Sequence, residues 1–120
     1  MIGAGTSIYI YSLLPNGTYE ESRIIDVGSR ARRFACRKNL IIAPSWNEKI
    51  KIYRGSDYEL VQTIDEGTTK LEVTALLHNE EIFAQGSKSK DIKIYQHDGA
   101  NFQKIQEIYV GISIRGLAIS

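Results

Sequence analysis

Three stretches of this chain are near copies of one another, spaced 42 residues apart: Ile8-Tyr9-Ile10-Tyr11, Ile50-Lys51-Ile52-Tyr53 and Ile92-Lys93-Ile94-Tyr95. Beyond a turn, an aromatic opens a second short apolar stretch in each: Tyr19 to Ile25, Tyr58 to Ile64 and Phe102 to Ile108. A glycine follows each, at Gly28, Gly67 and Gly111. Short runs rich in Ile, Val, Tyr and Phe, bounded by turn residues, belong to strands. A repeat of this length is one supersecondary unit that cannot bury its apolar faces alone. Like units must therefore stack, and the fold class is all-β.

The apolar runs predict strands over 8–12, 19–25, 33–37, 40–45, 49–54, 58–64, 71–77, 81–86, 91–96, 102–109 and 114–119. Turn signals separate most of them, among them Pro15-Asn16-Gly17, Lys38-Asn39, Gly55-Ser56-Asp57, His78-Asn79 and Asp98-Gly99. Leu40-Ile41-Ile42-Ala43 and Val73-Thr74-Ala75-Leu76-Leu77 are almost unbroken apolar runs, so both faces of those strands should be covered. Phe102-Gln103-Lys104-Ile105-Gln106-Glu107-Ile108 is more polar and suits an outer strand. Repeats of roughly 40–45 residues with inner strands sandwiched and outer strands wet are the pattern of propeller blades.

The same residues resemble a known family. Gly86-Ser87-Lys88-Ser89-Lys90-Asp91-Ile92-Lys93-Ile94-Tyr95 looks like the second and third strands of a WD-repeat (WD40-type) blade. Ser45-Trp46-Asn47-Glu48-Lys49-Ile50-Lys51-Ile52-Tyr53 fits the same template, and Gly3 to Tyr11 fits it more loosely. Tyr11, Tyr53 and Tyr95 stand where the family has Trp, and Gly5, Asn47 and Ser89 replace its turn Asp. The family's Asp-His-Ser-Trp hydrogen-bond network therefore cannot form in full, and blade integrity should rest on apolar packing. The resemblance divides the chain into a partial blade at 1–28, blades at 29–67 and 68–111, and at 112–120 the first strand of a further blade.

Closed propellers have about four to eight blades. A chain of 120 residues supplies too few to close a ring alone, so it reads as a segment of a larger protein or as a unit that self-associates through open blade sides. An alternative architecture is a β-trefoil, which has three repeats within about this length and would bind carbohydrate or protein. A purely structural propeller segment is a further alternative.

Composition narrows the function. The net charge of +1 is no basis for wholesale binding to nucleic acid or to a membrane surface. One cysteine, Cys36, and two histidines, His78 and His97, fall short of the roughly four ligands of a structural zinc site. No metal or cofactor is expected, and no stretch approaches the ~20 apolar residues of a membrane span. The N-terminal residues lack a signal-peptide pattern. Together with the lone cysteine, this makes a cytoplasmic setting the expectation.

Catalysis has little to stand on. His78 and His97 fall in turns, no Gly-x-Ser-x-Gly elbow is present, and Gly3-Ala4-Gly5 lacks a following helix. Cys36 lies in an apolar strand and is expected to pack in the core. Tyr11, Tyr53 and Tyr95 recur at one place of a buried strand and are expected to be core residues whose hydroxyls find a partner or solvent. The better signals are basic and aromatic loop residues. Arg30, Arg32 and Arg33 enter the first strand of the second blade. Trp46, the chain's single tryptophan, shares a turn position with Lys88. With Lys70 and Lys90, they define the expected protein-binding face, because tryptophan and arginine are enriched at binding hot spots. Glu72 and Arg115 are secondary candidates. Arg37 and Lys38 belong to the next turn and should point to the opposite face. The expected function is a noncatalytic protein–protein interaction scaffold.

Overall fold

The computed structural model describes residues 2–28, 33–44, 49–66, 71–77, 79–88, 90–112 and 116–118, with the side chains of residues 2–4, 72 and 73 outside that description. Among the described residues, eleven strands occur in order: β1 Ile2–Ala4, β2 Ser7–Leu13, β3 Tyr19–Asp26, β4 Ala35–Cys36, β5 Leu40–Pro44, β6 Lys49–Arg54, β7 Leu60–Asp65, β8 Leu71–Leu76, β9 Ile82–Ser87, β10 Asp91–His97 and β11 Phe102–Tyr109. They form three sheets, β1-β2-β3, β4-β5-β6-β7 and β8-β9-β10-β11, with every neighbouring pair antiparallel and consecutive in sequence. The architecture is an open run of blade-like sheets. A β-trefoil, which closes on itself as a barrel, is not what the strands build. Among the described residues no helix is long and apolar enough to cross a membrane.

Two features depart from the sequence-based expectation. Ile2–Ala4 is a strand although the glycines around it give little signal; it is held by pairing with Ser7–Tyr9 across the Gly5-Thr6 turn. The predicted strand at 114–119 lies partly outside the described residues, and Gly116–Ala118 within it is not in a strand. The first sheet is correspondingly one strand short, having no counterpart of β4 and β8.

All three sheets carry the same irregularity. Pairing skips one residue of the outer strand between Ile10 and Tyr11, between Ile52 and Tyr53, and between Ile94 and Tyr95. The extra residues are Ser22, Val61 and Ile105, and the Ser22 hydroxyl donates to the Ile10 carbonyl at 3.1 Å. A bulge bends and twists the strand that carries it.

The sheets stack through two apolar joints. At the first, Ile8, Ile10, Ile25 and Val27 of sheet one meet Ile41, Ala43 and Tyr53 of sheet two. At the second, Ile42, Ile50 and Ile52 of sheet two meet Leu71, Leu76, Phe83, Tyr95 and Phe102 of sheet three. Strand periodicity explains the division: Ile50 and Ile52 point forward along the chain, while Lys51 and Tyr53 point back. Each fully buried isoleucine contributes about 1.5–3 kcal/mol of transfer free energy. Phe83 stacks on Tyr95 with centroids 4.7 Å apart and meets Phe102 edge-on at 4.9 Å.

This direction corrects the expectation for Tyr11. Tyr53 is 5% exposed and Tyr95 is 1% exposed, because each has a preceding sheet to lie against. Tyr11, at the same repeat position, is 40% exposed, because among the described residues no sheet lies against that side of sheet one. Nor does the Tyr95 hydroxyl find the expected partner; it is buried without a hydrogen bond.

Cys36 is exposed, where core packing was expected. Its repeat counterpart Leu76 is 6% exposed, covered by sheet two. Cys36 faces the side of sheet one where, among the described residues, the corresponding inner strand is not found.

Candidate loop face

The register places Pro44, Lys49, Asp65, Leu71, Ser87, Asp91 and Tyr109 at the same end of their sheets. These strand ends mark one rim of the stack. Arg33 lies here, exposed, and its carbonyl accepts from the Thr74 amide at 3.2 Å, which ties the second sheet's entry to the third. Lys88 and Lys90 flank a tight turn between β9 and β10, and both side chains are exposed. The Ser87 hydroxyl donates to the Asp91 carboxylate at 2.8 Å across that turn. Lys90 sits at φ +72°, and its carbonyl accepts from the Val110 and Gly111 amides at 2.8 and 3.2 Å. The turn is fixed from both sides, so the two lysines project from a backbone that is already ordered. Arg30, Arg32, Trp46 and Lys70 lie outside the described residues, as does Arg115.

The rim is not simply basic. Lys93 reaches the Glu66 carboxylate with both side chains nearly buried, at 12% and 6% exposure. At the equivalent place in the first joint, the Lys51 ammonium donates to the Val27 carbonyl at 2.6 Å. Asp26 sits close enough to Tyr53 to add to the effect of burial, and together they raise the phenol's pKa above its ordinary value, with burial the larger cause. Reading the basic cluster alone missed these acids. The repeat did contain the signal, since Asp26 and Asp65 occupy the same position at the end of the outer strand.

The opposite rim is made of clamps. Arg37 donates to the Leu76 carbonyl at 3.3 Å, and the Asn39 amide and side chain donate to the two oxygens of Glu80 at 2.8 and 2.7 Å. Gly55 passes so close that a Cβ there would stand 2.4 Å from the Lys38 carbonyl oxygen. His97 packs edge-on to Phe102, and its Nδ1 accepts from the Gly99 amide at 3.1 Å. These groups hold turns and join sheets. His78 lies outside the described residues. Among the described residues, no three His, Cys, Asp or Glu side chains gather to hold a metal.

A comparison with protein-family models finds no match, and a search of curated proteins finds no relative of this chain.

Proposed function

We propose that this chain is a noncatalytic protein-binding scaffold of the WD-repeat propeller kind, binding its partner on the rim that carries Arg33, Lys88 and Lys90. The observation that carries the reading is the β9–β10 turn. Its two exposed lysines sit on a backbone locked by the Ser87–Asp91 hydrogen bond and by the Val110 and Gly111 amides. Side chains presented from a fixed backbone lose little conformational freedom on binding, which favours affinity. Arg30, Arg32, Trp46 and Lys70, which the sequence reading puts on the same face, would extend the surface. A protein partner in the cytoplasm fits a near-neutral chain with one free cysteine.

The test is affinity capture with the tagged chain, followed by measurement of binding to the recovered partner. Trp46→Ala should weaken binding by about 2 kcal/mol or more, the scale of a hot spot, without changing the melting temperature. Arg32→Ala with Arg33→Ala should weaken it in a salt-dependent way, as exposed charge contacts do. Undiminished binding after loss of all three side chains would exclude this rim.

A further inference from the structure

The two joints between sheets are built from the same positions, and the same positions stand open at the two ends of the stack. In each joint the outer strand of one sheet reaches the aromatic turn of the next. Arg23 donates to the Asp57 carbonyl at 2.8 Å and lies over the Tyr58 ring, 5.6 Å from its centroid. Gln62, at the equivalent place, exchanges hydrogen bonds with the backbone of Phe102 at 3.0 and 2.8 Å. The third member of this series is Gln106, which pairs across from Ile94 as Arg23 does from Ile10 and Gln62 from Ile52. Gln106 is exposed at one end of the stack, and the matching aromatic, Tyr19, is 68% exposed at the other.

The central contact follows the same rule. Tyr53 lies on Ile8 and Ile10, and Tyr95 lies on Ile50 and Ile52. Tyr11 is the tyrosine with no isoleucine pair beneath it, and Ile92 and Ile94 are the pair with no tyrosine above. Ile25 is 5% exposed inside the first joint, whereas its counterpart Ile108 is 41% exposed.

Each joint also carries one part-buried lysine contact. Lys51 meets the Val27 carbonyl and Lys93 meets Glu66. At the open ends, Tyr9 replaces the lysine and Val110 replaces its receiver. The lysine is absent from the open face, which carries a tyrosine in its place. Finally, Gly116–Ala118 lies 42 residues beyond Thr74–Leu76 of β8 but is in no strand, while the first sheet lacks that strand.

We infer that these ends are two halves of one interface, and that the occupant is a second copy of this chain. The Tyr9–Tyr11 side of one copy docks head to tail on the Ile92–Ile94 side of the other. Gly116–Ala118 of each supplies the strand beside β1 that its partner's first sheet lacks, and covers Cys36. Three sheets per chain make six in a pair, within the ~4–8 blades that close a ring. A head-to-tail contact gives a closed assembly only when its rotation closes, and two copies do so by a half turn.

The experiment is sedimentation equilibrium of the 120-residue chain over a range of concentrations, with Cys36 alkylation as a second readout. A discrete species of twice 13.5 kDa is expected, with slow alkylation. Tyr11→Asp and Ile92→Asp change partly exposed side chains, so each should keep its far-ultraviolet circular dichroism. Each should raise the dimer Kd by about a hundredfold or more, as burying an unpaired carboxylate demands, and speed alkylation. Mixing the two variants restores one intact joint and should recover a pair. A monomer at every concentration, or a spread of sizes, would overturn the inference; a monomer would assign the open sides to further sheets of a longer polypeptide. A dimer broken by Tyr11→Asp that mixing does not recover would overturn the head-to-tail arrangement, because it would show like ends meeting.

Discussion

At Tyr95 a ring and a hydroxyl work against each other. The ring stacks on Phe83 and fills the second joint, but its hydroxyl is buried without a partner. An unpaired buried hydroxyl costs roughly 1–3 kcal/mol. Tyr95→Phe is therefore expected to raise stability by about 1 kcal/mol, whereas Tyr95→Ala should lower it by about 3–5 kcal/mol, as for other large buried aromatics. Denaturant titration measures both. Tyr11→Ala in the single chain should stay within the ~0.5 kcal/mol of a surface change, although the sequence makes it equivalent to Tyr95. Lys90 offers a separate test, because a left-handed backbone costs a non-glycine residue about 1–2 kcal/mol. Lys90→Gly should gain up to about 1 kcal/mol of stability while weakening partner binding, which separates the two roles of that position. The repeat made the tyrosines legible as a set. What it left out was direction, since a tyrosine that always leans on the preceding sheet is exposed in the sheet that has none.

Among the elements, the strands that pack on both faces were the most legible. Leu40 to Pro44 and Lys49 to Arg54 follow the sequence reading closely, the first as a continuous apolar run and the second as a repeated Ile-Lys-Ile-Tyr pattern ended by turn residues. Ends governed by turn geometry were harder to read: β7 begins at Leu60 rather than at Tyr58, which sits in a turn at φ +61° with its amide donating to the Arg54 carbonyl. Contacts between elements were not legible at all, because no local pattern shows that Lys93 will meet Glu66. That pair is nearly buried, so removing one partner strands a charge. Lys93→Met alone should cost about 3–5 kcal/mol, and adding Glu66→Gln should recover most of the loss. A double-mutant cycle on thermal or chemical unfolding reads the coupling. Losses that simply add would show that the pair contributes nothing as a pair.

At the scale of the molecule, the middle sheet is the one that, among the described residues, packs against a sheet on each side. Amide exchange in β5 and β6 should therefore outlast that in β2 and β10 at concentrations too low for association, and the difference should narrow as concentration rises. The candidate rim was legible as a set of turn positions, but its acids and its clamped opposite end depend on the way sheets are stacked. The recurring bulge has a consequence at this scale. β3, β7 and β11 are the outermost strands of their sheets and leave hydrogen-bonding groups unpaired along the perimeter. A flat strand there would be a template for sideways fibre growth. The extra residues at Ser22, Val61 and Ile105 twist each strand away from such pairing. Deleting Val61 would bring Gln62 and Leu60 into an unbroken ladder with Ile52 and Tyr53, so the fold should survive. The straightened perimeter should then form thioflavin-positive fibrils faster than the parent chain, and an unchanged lag time would deny the bulge this guarding role.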